Sequence, residues 1–342
     1  MANALHYVII GNGMAGNQAA SVLRERDPEG RITIISAGSL LFYNRYDLPN
    51  IFRGCESWVE LLVNPPEYYE NNRINVRRKS VVIDVNTQQH LICLMHRETV
   101  GYDRLIIATG GESFIPEYLK DVRNLMHFFS RYRSAGEMRD ALPPGGRVIM
   151  LGGDMIGLDL ARSLIDMGYQ VTVVPDERTF WPHNTATEDR PKYYAALGKM
   201  GIEIGHDSEI ENIDKGTNGT GARRIVYVDG KELYGDVVMP FYGLMPNVDF
   251  MSSSGVSMER GILVDAQLKS SVDDVWVAGD VCQIWSPEFN DYRFYYGYKN
   301  VRLMGEIAAR NITGDAIDFE TAQDEQLEID EHGHLYSPYW ER

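Results

Sequence analysis

Two short strings constrain this chain more than anything else in it. YVIIGNGMAGNQAA, residues 7 to 20, and RVIMLGGDMIGLDLA, residues 147 to 161, share one plan. Each is an uncharged apolar run, then a glycine turn, then a helix-like pattern. A buried parallel strand ending in such a turn presents a diphosphate to the N-terminus of the next helix, where oriented N–H groups and partial positive charge favour an anion. One such string would be weak support, because glycine turns are common. Two of them, opening at Gly11 and Gly152, predict two nucleotide-binding units and chemistry shared between a flavin and a nicotinamide. The copies differ at one position: Gly13 of the first is matched by Asp154 of the second.

Composition narrows the partners. The 342 residues, 44% hydrophobic and 24% charged, suffice for two or three domains with sizeable cores. A formal charge of −16 excludes nucleic acid and an anionic membrane as favoured partners, and disfavours an acidic carrier protein unless a basic patch is local. The strand pattern begins by Tyr7 and no run of 18 apolar residues occurs, so neither signal peptide nor membrane span is expected and the location is read as cytoplasmic. Cys55, Cys93 and Cys282 have neither CxxC nor zinc-type spacing; they are expected to be reduced and mostly buried, and no metal site is expected.

Residues 6 to 37 read as strand, turn, helix and strand, with Gly30 placed for a left-handed helix end. A loop-rich segment carries FYNRYDLP; YYENNR is a short helix, and strand-like runs lead to YDRLIIATGG. After LPPGG the second unit follows, with strand VTVVP, the helix and strand of KYYAALGKMGIEI, a turn at DKGTNGTG (214 to 221) and the return YGDVVMPFYGLMPN. DDVWVAGDV, the helix VRLMGEIAARNI and a hairpin at LEIDEHGHLYS complete the chain. Strand–helix alternation predicts an α/β fold of two Rossmann-like dinucleotide-binding domains, the second inserted into the first.

In the first turn Gly11 makes the bend, Gly13 admits phosphate to the backbone and Gly16 lets helix and strand pack. The ribose-binding acid expected about 20 residues on is replaced by Ser36 and Ala37. In the second turn Asp154 would obstruct and repel a diphosphate, or else cap the helix itself, a cap contributing ~1 kcal/mol. Pro175 stands at the second strand's end, followed by Asp176, Glu177 and Arg178, which leaves NADH and NADPH both open. His332 and His334 suit a hairpin turn better than a metal pair. The aromatic run FYYGY (294 to 298) suits either flavin cover or core.

Taken together, GNGMAG, FYNRYDLP, YDRLIIATGG, RVIMLGGDMIGLDLA, VVMPFYGLMPN, GILVDAQLKSSVDDVWVAGD and GEIAARNITG resemble the FAD-dependent pyridine nucleotide-disulfide oxidoreductase superfamily. The nearest branch is that of rubredoxin, ferredoxin and nitrite reductase flavoproteins, and the resemblance spans residues 6 to about 314. It implies an FAD-binding domain in two parts, 1–115 and 247–314, an NAD(P)-binding-like domain at 116–246, and a short tail, 315–342, in place of a dimerisation domain. It assigns FAD to Gly11, Gly13, Met14, Ala15, Gly16, Ser36, Ala37, Arg45, Val82, Ala108, Thr109, Gly110, Gly279 and Asp280. Asp280 would hold the ribityl–phosphate part; a helix cap is its plain structural alternative, and the two roles are compatible. NAD(P) would meet Gly152, Gly153, Asp154, Met155, Ile156, Gly157 and Asp176.

Two departures matter. Arg45, Tyr46 and Asp47 stand where relatives carry a redox cysteine, so disulfide and peroxidase chemistry are rejected. Asn50 and Asp159 replace a lysine–glutamate pair of the ferredoxin-reductase-like members. The reading is an FAD-dependent oxidoreductase that moves hydride from NAD(P)H to flavin and electrons to a protein carrier, with no catalytic side chain of its own. Its rival is an electron-transfer subunit of a larger complex with FAD and a degenerate NAD(P) site. Oligomeric state stays open.

Overall fold

The first apolar run forms strand β1 (His6–Ile10), buried along its whole length, and the glycine turn leads directly into helix α1 (Met14–Arg26). Strands β2 (Arg31–Ile35), β3 (Ile74–Arg77) and β4 (Arg104–Ile107) follow. The structure, a computed structural model, describes residues 4–340 apart from Glu56, 206–209, 217–223 and 323–325. The turn expected at 214 to 221 therefore lies mostly outside the described residues.

The chain then builds a second unit: β5 (Arg147–Gly152), α2 (Met155–Asp166), β6 (Gln170–Val174), β7 (Glu203–Ile204) and β8 (Val237–Phe241). Only after it does β9 (Val275–Val277) complete the first sheet, followed by helix α3 (Tyr298–Ile312). The first sheet has the order β9-β4-β1-β2-β3 and the second β7-β6-β5-β8, all pairs parallel. Parallel strands covered on both faces read as unbroken apolar runs, which is why VII and VIML carry no polar alternation. Val8 and Ile9 are fully buried, each worth ~1.5–3 kcal/mol of burial. The fold class is the one expected.

Helices α1 and α3 pack with backbones nearly touching. A Cβ on Gly305 would lie 2.3 Å from the Ala15 carbonyl oxygen, so only glycine permits the crossing. The passages between the units, Gly111–Ser113 and Leu244–Pro246, pair antiparallel.

Two local expectations are corrected. Gly30 is not a left-handed cap: α1 ends at Arg26, and the Asp27 carboxylate accepts from the amides of Glu29 and Gly30 and from the Tyr7 hydroxyl. Gly30 is needed because a Cβ there would meet the Tyr7 ring at 2.7 Å. Asp280 caps no helix either. It sits between β9 and the strand Cys282–Ser286, whereas α3 is preceded by Gly297. The tail hairpin does form, pairing Glu328–Ile329 with Leu335–Tyr336; its turn is held by Asp330, which accepts from the amides of His332 and His334.

Candidate dinucleotide sites

The ends of three strands meet at the first glycine turn. Ile10 pairs with Ile107, Ile107 with Val277, and the amides of Ala108 and Ala278 continue the ladder onto Ile10 and Ile107. This brings Gly11 to Gly16, Ala108 to Gly110, and Gly279 with Asp280 to one place. Gly11 has φ +122°, and a Cβ there would overlap the Ala108 carbonyl oxygen at 2.0 Å. Gly279, at φ +86°, lies against Ala15. The bend is thus forced by packing.

Gly13 is different. A Cβ there would find nothing within 4 Å, so space rather than strain is what this glycine leaves. No side chain caps α1, and among the described residues no acceptor from outside the helix bonds the amides of Met14, Ala15 or Gly16. Helix ends normally find partners for these groups, so an open first turn is a ready anion site. Gly11 to Met14 all remain partly accessible.

Asp280 follows Gly279, which lies against Ala15, just beyond the end of β9. Burial pushes its carboxyl up to about 6, against a downward pull from Arg45. Among the described residues no donor reaches that carboxylate, and a half-buried acid without donors calls for ligand hydroxyls. Arg45 itself is exposed, at the start of a 3₁₀ turn running to Arg53. Ser36 follows β2, its hydroxyl oxygen accepting from the Gly38 amide, while its carbonyl accepts from the Ser80 amide. That bond lies two residues before the strand beginning at Val82. Thr109 donates to the Asn247 carbonyl, tying the chain's exit from this unit to its return. The residues brought together fit FAD: an amide-lined turn for a diphosphate and an unpartnered acid for hydroxyls.

The second turn has the same bend but another content. Gly152 and Gly153 have φ +90° and +102°, and a Cβ on Gly157 would strike the Phe241 ring at 2.4 Å. Asp154 caps α2: its carboxylate accepts from Gly157 N at 2.8 Å and from Gly243 N at 2.7 Å. Burial pushes this carboxyl up to about 6 despite backbone donors from Gly157, Gly243 and Ile156. The Met155 amide is taken by the Trp181 carbonyl at 2.8 Å. Of the two roles open to Asp154, the helix cap is the one adopted. All of Gly152 to Met155 is buried.

A loop seals this turn. Thr179 donates to the Gly152 carbonyl at 2.5 Å and the Phe180 amide to Gly153 at 2.9 Å. Phe180 is wholly buried at φ +75°, a strained conformation for an aromatic residue. Trp181 lies against Gly243 and 4.4 Å from the Tyr296 ring, centroid to centroid. The tail adds Trp340, whose indole N–H donates to the Met155 carbonyl at 3.0 Å and whose ring receives Arg162 at 4.3 Å. Asp176 is partly buried and its carboxyl is raised, chiefly by burial. Arg178 is committed elsewhere, 3.9 Å above the Phe114 ring. Of the residues predicted to meet NAD(P), Ile156 alone is exposed. As it stands, this surface does not fit a dinucleotide diphosphate.

The FYYGY run divides. Phe294 and Tyr296 stack together in the core, and Tyr298 meets Tyr46 edge to face. All three cysteines are free; Cys55 and Cys282 are buried, and burial beside Asp280 pushes the Cys282 thiol up. Asn50 accepts from Arg53, and Asp159 pairs with Arg162. Sequence reasoning missed Thr179, Phe180, Trp181, Gly243 and Trp340 as parts of the second site. The dense aromatic strings TFWPH and SPYW were the available signal.

A family model described as pyridine nucleotide-disulphide oxidoreductase matches residues 5–304. The chain is 28% identical over 278 residues to the nitric oxide reductase FlRd-NAD(+) reductase of Klebsiella pneumoniae subsp. pneumoniae, covering 81% of this chain and 72% of the relative. The Vibrio vulnificus protein of the same name is 29% identical over 284 residues, with the same coverage. In fold it is similar to putidaredoxin reductase in its covalent complex with putidaredoxin (TM-score 0.83, 22% identity, 94% of this chain and 78% of that one). NADH:rubredoxin oxidoreductase from Clostridium acetobutylicum gives TM-score 0.76 at 22% identity, over 95% of this chain and 79% of the other.

Proposed function

The chain belongs to the pyridine nucleotide-disulphide oxidoreductase family, and from that premise we propose that it is a cytoplasmic FAD-dependent oxidoreductase that takes reducing equivalents from NAD(P)H and delivers them to a protein electron carrier. The observation that carries the reading is the first glycine turn: open amides at Met14 to Gly16 with the unpartnered Asp280 beside them. The relatives named FlRd-NAD(+) reductase support a nicotinamide nucleotide as the donor, and the fold neighbours named for putidaredoxin and rubredoxin support a protein as the acceptor. Among the described residues no helix is long and apolar enough to cross a membrane.

Bound there, FAD supplies the capacity to take up a hydride and to release electrons. The chain's own part is positioning. Gly13 and the α1 amides hold the diphosphate, Asp280 and Ser36 offer acceptors to hydroxyls, and Arg45 lends positive charge near Asp280. No cysteine pair is required, in keeping with three separate thiols. A yellow protein that bleaches anaerobically on mixing with NADH or NADPH is the expected result. Protein that stays colourless after excess FAD and gel filtration overturns the proposal.

A second reading is favoured by one observation, the Asp154 cap with its sealed turn. In that reading the second site is permanently silent, and electrons enter from a partner subunit.

A further inference from the structure

We infer that the nicotinamide nucleotide site is held shut by the chain itself: Asp154 stands in for the diphosphate, and the segment Ser337–Trp340 straps the turn, so that NAD(P)H enters only when the strap lifts. The inference rests on the reading that the second unit takes a pyridine dinucleotide.

Three independent contacts close the same surface. The amides that would meet a diphosphate at the N-terminus of α2 already have acceptors: Met155 the Trp181 carbonyl, and Gly157 the Asp154 carboxylate. A diphosphate placed there would face a carboxylate at contact distance, where repulsion in a water-poor site is severe. Above the turn, the Trp340 indole is bonded to the carbonyl of Met155, the first residue of α2. Ser337 anchors the strap further on: it is fully buried, and its hydroxyl is hydrogen-bonded to His183 Nε2 at 2.9 Å. Tyr339 packs edge to face on the same His183 ring at 4.9 Å. Strap and sealing loop therefore grip each other as well as the turn.

The strap is short and its grip is local. Local segments open at lower cost than a domain unfolds, and this one is held by the Trp340–Met155 and Ser337–His183 hydrogen bonds, the Tyr339–His183 ring contact and the packing of Tyr339 in the second core. The apparent nucleotide affinity is then the intrinsic affinity multiplied by the fraction of time the strap is open, and removing the strap restores it.

The test uses full-length protein loaded with FAD, its visible flavin absorbance recorded first. NAD+ and NADP+ binding are measured by calorimetry for the wild type, Trp340→Ala, Asp154→Gly and a chain ending at Tyr336. The expected result is a gain of about tenfold or more for the shortened chain and for Asp154→Gly, and a smaller gain for Trp340→Ala. Amide exchange at Ser337, Tyr339 and Trp340 in the wild type should quicken when NAD+ is saturating. The inference is overturned if both large changes leave affinity within about twofold of the wild type, or if bound NAD+ leaves the strap amides as protected as before. It is also overturned if no form binds either nucleotide while all keep their flavin. Absence of flavin absorbance in every form would count against the proposed function, and the calorimetry of those samples would still decide the strap.

Discussion

The two glycine turns begin as near-copies. Each follows a buried parallel strand, each needs glycine for its bend, and the residues before their helices share an extended backbone, φ −94°, ψ −166° at Gly13 and φ −66°, ψ 169° at Asp154. They part in what meets the helix amides. At Gly13 there is open space and no cap; at Asp154 a carboxylate, a sealing loop and a tryptophan from the tail are in place. The difference teaches that the same bend can leave its helix amides open or have them met by the chain itself, since a helix N-terminus favours an anion whether it comes from a ligand or from a side chain.

The comparison breaks most visibly where the bend itself is attacked. Gly11→Ala puts a Cβ onto the Ala108 carbonyl at a φ of +122°, and should cost of order 4 kcal/mol in urea unfolding. A variant with an unchanged midpoint would show that the turn is looser than described.

Next comes the exchange of character. Gly13→Asp meets no steric bar, so the fold should hold while FAD affinity falls at least about 100-fold, close to 3 kcal/mol, in a fluorescence titration. Unchanged affinity would mean that the diphosphate lies elsewhere.

A pH dependence sharpens the second turn. Asp154 has a folded value of about 6 against an ordinary 3.8, so the folded state binds the proton more tightly. Its stabilising contribution is full below about 4 and lost as pH rises through about 6. The stability of the wild type minus that of Asp154→Asn, from thermal or urea unfolding, should therefore fall between those values. A difference that is flat or rises would contradict the burial described. The smallest effect is none at all: alkylating the accessible thiols should leave NADH-driven flavin bleaching unaltered, because no cysteine pair takes part.

Much of this was legible in the sequence, because it is local. The apolar runs VII and VIML gave the central strands, and the GNG and GGD turns marked the two units. Asp154 could be read as a cap from its place before α2. What stayed hidden depends on residues distant in the chain. Nothing in SPYW says that Trp340 will reach Met155, 185 positions away, and nothing in TFWPH says that Phe180 will close over Gly153. Gly30 misled because a tight approach to Tyr7 and a left-handed cap require the same residue type. Asp280 left its helix-cap alternative open because the strand following it, Cys282–Ser286, carries no strong alternation.

The most direct test is amide hydrogen exchange resolved at six residues, Met14 to Gly16 and Met155 to Gly157, without and with FAD. The account predicts that Met155 and Gly157 are protected from the outset, and that Met14 to Gly16 gain protection only when FAD binds. Fast exchange at Met155 and Gly157 in the absence of ligand, or no change at Met14 to Gly16 on saturation with FAD, would contradict it.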